Sequence, residues 1–128
     1  MIIEHLCLNV IDIEKEKNFY CAAFGFEANA KYHNAKTGWE NYFLSAPDGG
    51  ARLELLSHAD MPHTQKDAKD SGLIHFALSL GSKETVDKTT AQIQAMGFQV
   101  LSGPRLTGDG YYESCFLDPE GNRVELTI

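Results

Sequence analysis

Ile3-Glu4-His5-Leu6-Cys7-Leu8-Asn9-Val10 opens the chain, and Leu73-Ile74-His75-Phe76-Ala77-Leu78-Ser79-Leu80 repeats its alternation further on. In the first stretch Ile3, His5, Cys7 and Asn9 share one face of a strand, and Leu6, Leu8 and Val10 share the other. In the second, Leu73, His75, Ala77 and Ser79 share one face, and Ile74, Phe76, Leu78 and Leu80 the other. Each histidine therefore points away from the greasy face, among small or polar neighbours that suit the lining of a cavity. The closing stretches match too. Ala51-Arg52-Leu53-Glu54-Leu55-Leu56 corresponds to Asn122-Arg123-Val124-Glu125-Leu126-Thr127. His5 and His75 are 70 positions apart, and Glu54 and Glu125 are 71 apart.

Between these ends the two copies continue in step. Asp12 caps a first predicted helix that Gly25 ends, with Ile13, Tyr20 and Phe24 at helical spacing. Ser82 caps a second, with Glu84 in its first turn, Gly97 as its stop, and Val86, Thr90, Ile93 and Met96 as its inner stripe. Three shorter strands follow in each copy, near residues 27–33, 40–45 and 51–56, then near 99–102, 111–117 and 122–127. Pro47-Asp48-Gly49-Gly50 and Pro119-Glu120-Gly121-Asn122 supply the residues a tight hairpin turn demands. The fold class expected is α+β: two tandem βαβββ modules, which pairing about a pseudo-two-fold axis would set around one concavity. The 128 residues form a single domain, with module 1 at about 1–57, a polar connector at 58–72 and module 2 at about 73–128.

Composition narrows the function. Hydrophobic residues at 43% and charged residues at 23% are ordinary for a globular protein. The net charge of −7 disfavours nonspecific nucleic-acid binding and is compatible with a site for a cation. No apolar run approaches the roughly 20 residues that span a bilayer, and no secretion signal is visible. Cys7, Cys21 and Cys115 lack metal-type spacing and read as free thiols in a reducing, cytoplasmic compartment. No nucleophile elbow, phosphate-cradling glycine loop or Cys-x-x-Cys pair occurs.

The matched residues carry the chemistry. On the closing strands Arg52, Glu54 and Leu56 share one face, as do Arg123, Glu125 and Thr127. If the modules pair about a pseudo-two-fold axis, His5, Glu54, His75 and Glu125 can converge as ligands of one divalent metal ion per site, among Zn, Ni, Co, Mn or Fe. Such an ion leaves positions for substrate oxygens and can stabilise an enediolate. Glu125, and after it Glu54, is the candidate catalytic base. The competing reading makes each His a satisfied strand residue and each Arg-x-Glu a cross-strand ion pair. The matched register of all four favours the metal. His33, His58 and His63 read as surface residues, Arg105 as a solvated loop residue, Tyr111 and Tyr112 as packing, and Trp39 as packing or lining an edge.

These segments resemble the vicinal oxygen chelate superfamily, which includes glyoxalase I, methylmalonyl-CoA epimerase, extradiol dioxygenases, fosfomycin-resistance thiol transferases and bleomycin-binding proteins. The resemblance covers nearly the whole chain. It is most specific at Glu4-His5-Leu6, Phe19-Tyr20, Phe24-Gly25-Phe26, Arg52-Leu53-Glu54-Leu55, Ile74-His75-Phe76, and Phe116 to Asn122 leading into Val124-Glu125-Leu126. The ligand set His, Glu, His, Glu matches glyoxalase I, whereas the epimerase has Gln where Glu54 stands and the dioxygenases and thiol transferases use two His and one Glu. Glyoxalase I usually has Arg four residues after its first His and Asn four after its first Glu; here Asn9 and His58 stand there, so the expected contacts to glutathione are missing. The resemblance implies two tandem βαβββ modules pairing into a curved mixed sheet around a metal-site cavity, and a metal-dependent lyase or isomerase of the glyoxalase I type. Its substrate is a small alpha-hydroxycarbonyl or thiol adduct, turned over by proton transfer through a metal-bound enediolate. The alternatives are a metal-dependent dioxygenase or a small-molecule-binding resistance protein without chemistry. The partners expected are a small-molecule substrate and a second copy in a homodimer, with neither nucleic acid nor membrane.

Overall fold

A computed structural model describes residues 1–64, 69 and 71–128; of the connector read at 58–72, residues 65–68 and 70 lie outside the described residues. The chain forms two compact units, Met1–Thr64 and Gln65–Ile128. Each is α+β with a mixed sheet, the βαβββ organisation that the repeat implies.

In the first unit β1 (His5–Asn9) leads into α1 (Ile13–Phe24), then β2 (Glu27–Ala28), β3 (Tyr32–His33), β4 (Glu40–Ser45) and β5 (Arg52–Ser57). The strand order is β1-β5-β4-β2, with β3 also on β4. The parallel pairing of β1 with β5 sets His5 opposite Arg52 and Cys7 opposite Glu54. α1 begins where the Asp12 carboxylate accepts the Lys15 N–H at 3.0 Å, which satisfies one of the donors a helix start leaves open. It ends at Gly25, whose φ of 69° is the left-handed cap that suits glycine. Ile13, Phe19 and Tyr20 of α1 are buried with Leu8, Val10, Leu44, Leu53 and Leu55. Glu16, an acidic residue on the same helix, is buried as well. The segment read as one strand at 27–33 is two short ones. The Asn29 N–H still donates to the Phe43 carbonyl at 3.1 Å, but the Asn29 side-chain carbonyl takes the Phe43 N–H at 2.8 Å, so a side chain supplies one ladder bond between β2 and β3.

The second unit runs β6 (His75–Ser79), α2 (Lys83–Ala95), β7 (Val100–Leu106), β8 (Tyr112–Leu117) and β9 (Arg123–Thr127), in the order β6-β9-β8-β7. The parallel pairing repeats: His75 faces Arg123 and Ala77 faces Glu125. Ser82 caps α2 by accepting the Thr85 N–H at 3.1 Å. Val86, Thr90 and Ile93 are buried against the sheet, and Thr90 joins its hydroxyl to that of Ser114 on β8 at 2.6 Å. Met96, expected in this inner stripe, is 40% exposed because it is the cap residue, beyond the last full turn. β7 runs to Leu106, past the end expected near residue 102. Its register shifts twice, and at Gly103 an added Cβ would lie 2.4 Å from the Glu113 carbonyl oxygen; the absence of a side chain lets the strand continue against β8.

The turn between β8 and β9 is organised by Asp118, which is buried. Its carboxylate accepts the Glu120 and Asn122 N–H groups at 3.1 and 2.8 Å and the Asn122 amide at 2.9 Å. Asp118→Ala is expected to destabilise the protein by about 2 kcal/mol, in the range for hydrogen bonds to a buried charged acceptor, read as a lower urea midpoint. A midpoint unchanged from wild type would remove the turn from the list of structural determinants.

Candidate metal centre

Because side chains alternate along a strand, the register that buries Leu53 and Leu55 sends Arg52 and Glu54 to the face that carries His5 and Cys7. On that face His5 Nε2 lies 3.5 Å from Glu54 Oε2. Val124 and Leu126 are buried in the same way, and His75 Nε2 lies 3.3 Å from Glu125 Oε2. Each unit thus brings its predicted histidine and glutamate together, through the same pair of atoms. The glutamates are the more enclosed partners: their side chains are 15% and 22% exposed, against 39% and 43% for the histidines. Among the described residues no group of three or more His, Cys, Asp or Glu side chains is arranged to hold a metal ion. What each unit presents is a pair of donors, one imidazole and one carboxylate.

The arginines do not claim these carboxylates. Arg52 pairs with Glu4 instead, through Nη2 and through Nε at 2.8 Å, and its guanidinium lies 4.2 Å from the centre of the Phe43 ring. Among the described residues neither Glu54 nor Glu125 forms an ion pair with an arginine. The donor set fits a divalent ion of intermediate hardness, which imidazole and carboxylate both suit.

Three contributors were not singled out from the sequence. The Glu4 carboxylate accepts from His5 Nδ1 at 2.5 Å. The hydrogen bond from His5, reinforced by Arg52, holds the Glu4 carboxyl below its usual value. The Asn41 amide donates to Glu54 Oε1 at 2.8 Å, which leaves Oε2 turned towards His5. Cys7, on the same strand face as His5, lies beside Glu54, and burial together with that carboxylate pushes its thiol up to about 11. The Cys115 thiol, opposite Glu125, is also raised, first by burial and then by Glu125.

Other expectations resolve more simply. His58 is half-buried rather than on the surface: Nε2 donates to the Thr37 carbonyl at 3.0 Å, and its ring lies 5.1 Å from that of Trp39, which packs there. His33 is exposed and pairs with Glu40 at 3.3 Å. Arg105 pairs with Glu113 at 3.4 Å. Tyr112 donates to Asp87 on α2 at 2.6 Å, and Tyr111 is exposed. A cavity of about 430 Å³ lined by Asp87, Thr90, Gln94, Gly103 and Tyr112 lies against α2, on the side of the sheet away from His75 and Glu125.

Each of the two modules carries a His and a Glu in matched register, and comparison with known proteins identifies the family. The sequence profile of the glyoxalase/bleomycin resistance protein/dioxygenase superfamily matches residues 2–126, and the chain belongs to that superfamily. It is 29% identical over 126 residues to YwkD, an uncharacterized protein of Bacillus subtilis, covering 97% of this chain and 94% of that one. It is 25% identical over 119 residues to catechol-2,3-dioxygenase of the same organism, covering 93% of this chain but 38% of the enzyme. Among solved structures it resembles a glyoxalase family protein of Enterococcus faecalis, with a TM-score of 0.80, 24% identity and coverage of 98% and 96%. It also resembles the trypanothione-dependent glyoxalase I of Leishmania major, with a TM-score of 0.79, 19% identity and coverage of 99% and 86%. No helix is long and apolar enough to cross a membrane among the described residues.

The raised Cys7 thiol is open to test. At pH 8 little thiolate is present, so alkylation by iodoacetamide is expected to be slow and to accelerate as pH rises towards 11. Glu54→Gln removes the charge opposing the thiolate and is expected to speed alkylation at pH 8. Mass spectrometry of the labelled protein reads the rate; equal rates in wild type and variant would show that Glu54 does not act on the thiol.

Proposed function

We propose that the protein is a metal-dependent lyase or isomerase of the glyoxalase I type, acting on a small alpha-hydroxycarbonyl or thiol-adduct substrate. The observation that carries this reading is the duplicated His Nε2–Glu Oε2 approach, at 3.5 and 3.3 Å, with no arginine on either glutamate among the described residues. His5, Glu54, His75 and Glu125 would hold one divalent ion, each module supplying one imidazole and one carboxylate. The ion would supply Lewis acidity towards adjacent substrate oxygens.

The two carboxylates differ in their freedom. Glu54 is anchored through Oε1 by Asn41. Among the described residues the Glu125 side chain makes no hydrogen bond and has only the 3.3 Å approach of His75. Glu125 is therefore the carboxylate free to turn, take a proton from one substrate carbon and return it to the neighbouring one. Glu54 keeps a fixed orientation, and Asn41 keeps it. With Asn9 and His58 at the positions where glyoxalase I usually carries Arg and Asn, the substrate is a carbonyl compound or thiol adduct other than that of glutathione.

The purified protein is expected to carry roughly one divalent ion per site, of the intermediate class that imidazole and carboxylate bind. Loss of the ion on chelation should abolish turnover, and Glu125→Gln should lower it by about 10²-fold or more. A metal-free protein that binds ligand tightly without turnover would replace the enzyme reading with that of a sequestering module.

The likeness to catechol-2,3-dioxygenase supports a second reading, an Fe(II) dioxygenase. Oxygen uptake on catechols after anaerobic Fe(II) reconstitution would establish it, and isomerisation without oxygen would eliminate it. We propose a homodimer as well, since each sheet leaves edge strands that invite pairing; sedimentation showing only monomer would overturn this. The three unpaired cysteines support a reducing compartment such as the cytoplasm.

A further inference from the structure

His5 is held at its other nitrogen in a way that His75 is not. Glu4 lies just before β1, where alternation would send it to the buried face of the sheet; its counterpart Ile74 is half-buried. A carboxylate is costly to bury there without a partner. The Glu4 side chain instead turns back and divides its two oxygens. Oε1 takes the Arg52 guanidinium, and Oε2 takes His5 Nδ1 at 2.5 Å. Phe43 braces both partners: Arg52 lies 4.2 Å over its ring, and the His5 ring meets it edge-on at 5.5 Å. Glu4, His5, Arg52 and Phe43 thus close a ring of contacts beside Glu54. In the second unit Ile74 offers no acceptor, and His75 Nδ1 makes no hydrogen bond among the described residues.

We propose that Glu4 is a positioning residue for His5. Its carboxylate, an acceptor only, requires the proton on Nδ1 and so leaves the Nε2 lone pair directed towards Glu54, ready for a divalent cation. Arg52 keeps Glu4 in place and is thereby drawn away from Glu54. The two histidines of the proposed metal centre are consequently unequal: His5 is pre-set at Nδ1, whereas His75 has only the Glu125 carboxylate at Nε2 to bias its proton. The inference rests on the metal reading for its purpose, but the tautomer of His5 is a property of the metal-free protein.

The two claims separate in one experiment. Long-range proton–nitrogen NMR of the ¹⁵N-labelled, metal-free protein at about pH 8, where an ordinary imidazole is neutral, reports which nitrogen carries the proton. The expected result is His5 as the Nδ1–H tautomer and His75 predominantly as Nε2–H, its proton facing Glu125. Glu4→Ala should shift His5 towards Nε2–H, like His75, and weaken Zn²⁺ binding by about 10- to 100-fold in competition with a chromophoric chelator. Glu4→Gln, which retains a carbonyl acceptor for Nδ1–H, should keep the tautomer and recover most of the affinity. An unchanged His5 tautomer in Glu4→Ala overturns the proposal, as does an unchanged zinc affinity in a wild type that binds zinc. A wild type that binds no Zn²⁺ overturns the metal reading, while the tautomer comparison still decides the role of Glu4.

Discussion

The parallel pairing of the first strand of each unit with its last is the constraint on which the site depends. Side chains alternate with a period of two, so a slip of one residue between β1 and β5 would turn Glu54 into the core and Leu53 and Leu55 out of it. Those leucines are 4% and 0% exposed, and each contributes about 1.5–3 kcal/mol through burial. Burying an unpaired carboxylate in their place would cost several kcal/mol more. The apolar packing beneath α1 therefore fixes the register, and the register fixes His5 near Glu54. Val124 and Leu126, both fully buried, hold His75 and Glu125 in the second unit by the same means. The polar geometry follows from the hydrophobic one, which is why two diverged halves retain the same pair of approaching atoms.

On this common frame the two units differ in what surrounds the pair. Opposite Glu54 stands Cys7, and opposite Glu125 in the same strand position stands Ala77. On the other side Phe43 neighbours Glu54, where Cys115 neighbours Glu125. The first unit restrains both of its members, His5 through Glu4 and Glu54 through Asn41. The second restrains neither with a side-chain hydrogen bond among the described residues. The first unit's pair is therefore the more constrained of the two, and the second unit's the more adaptable.

Much of this was legible in the sequence because it is local. Asp12, Ser82 and Gly25 announce helix ends by their own chemistry, and strand alternation separates the faces without knowledge of the partner strand. What escaped depends on a second strand. Asn41 is an unremarkable polar residue until β4 is laid beside β5 and its amide meets Glu54. Asn29 interrupts a strand only because Phe43 supplies the N–H it takes. β7 outruns its expected end near residue 102, and only the close approach of Glu113 shows why a glycine at position 103 lets it continue. Met96 failed for a narrower reason: helical spacing counts turns but does not say where the last buried turn ends.

The electrostatics around His5 depend on which carboxylate takes the Arg52 guanidinium. An Arg-x-Glu face would be self-satisfied if Arg52 neutralised Glu54, its neighbour two residues along. Glu4 intercepts the guanidinium, so one positive charge is shared out before it reaches Glu54, and that carboxylate keeps its charge beside a half-exposed imidazole. Arg52 keeps an ion pair either way, so the difference lies in Glu54, which is left with the Asn41 amide and an imidazole as its neighbours. Residues that decline the locally stabilising partner mark positions where the chain serves something other than its own folding, and here they do so at the strand whose register the core most firmly fixes.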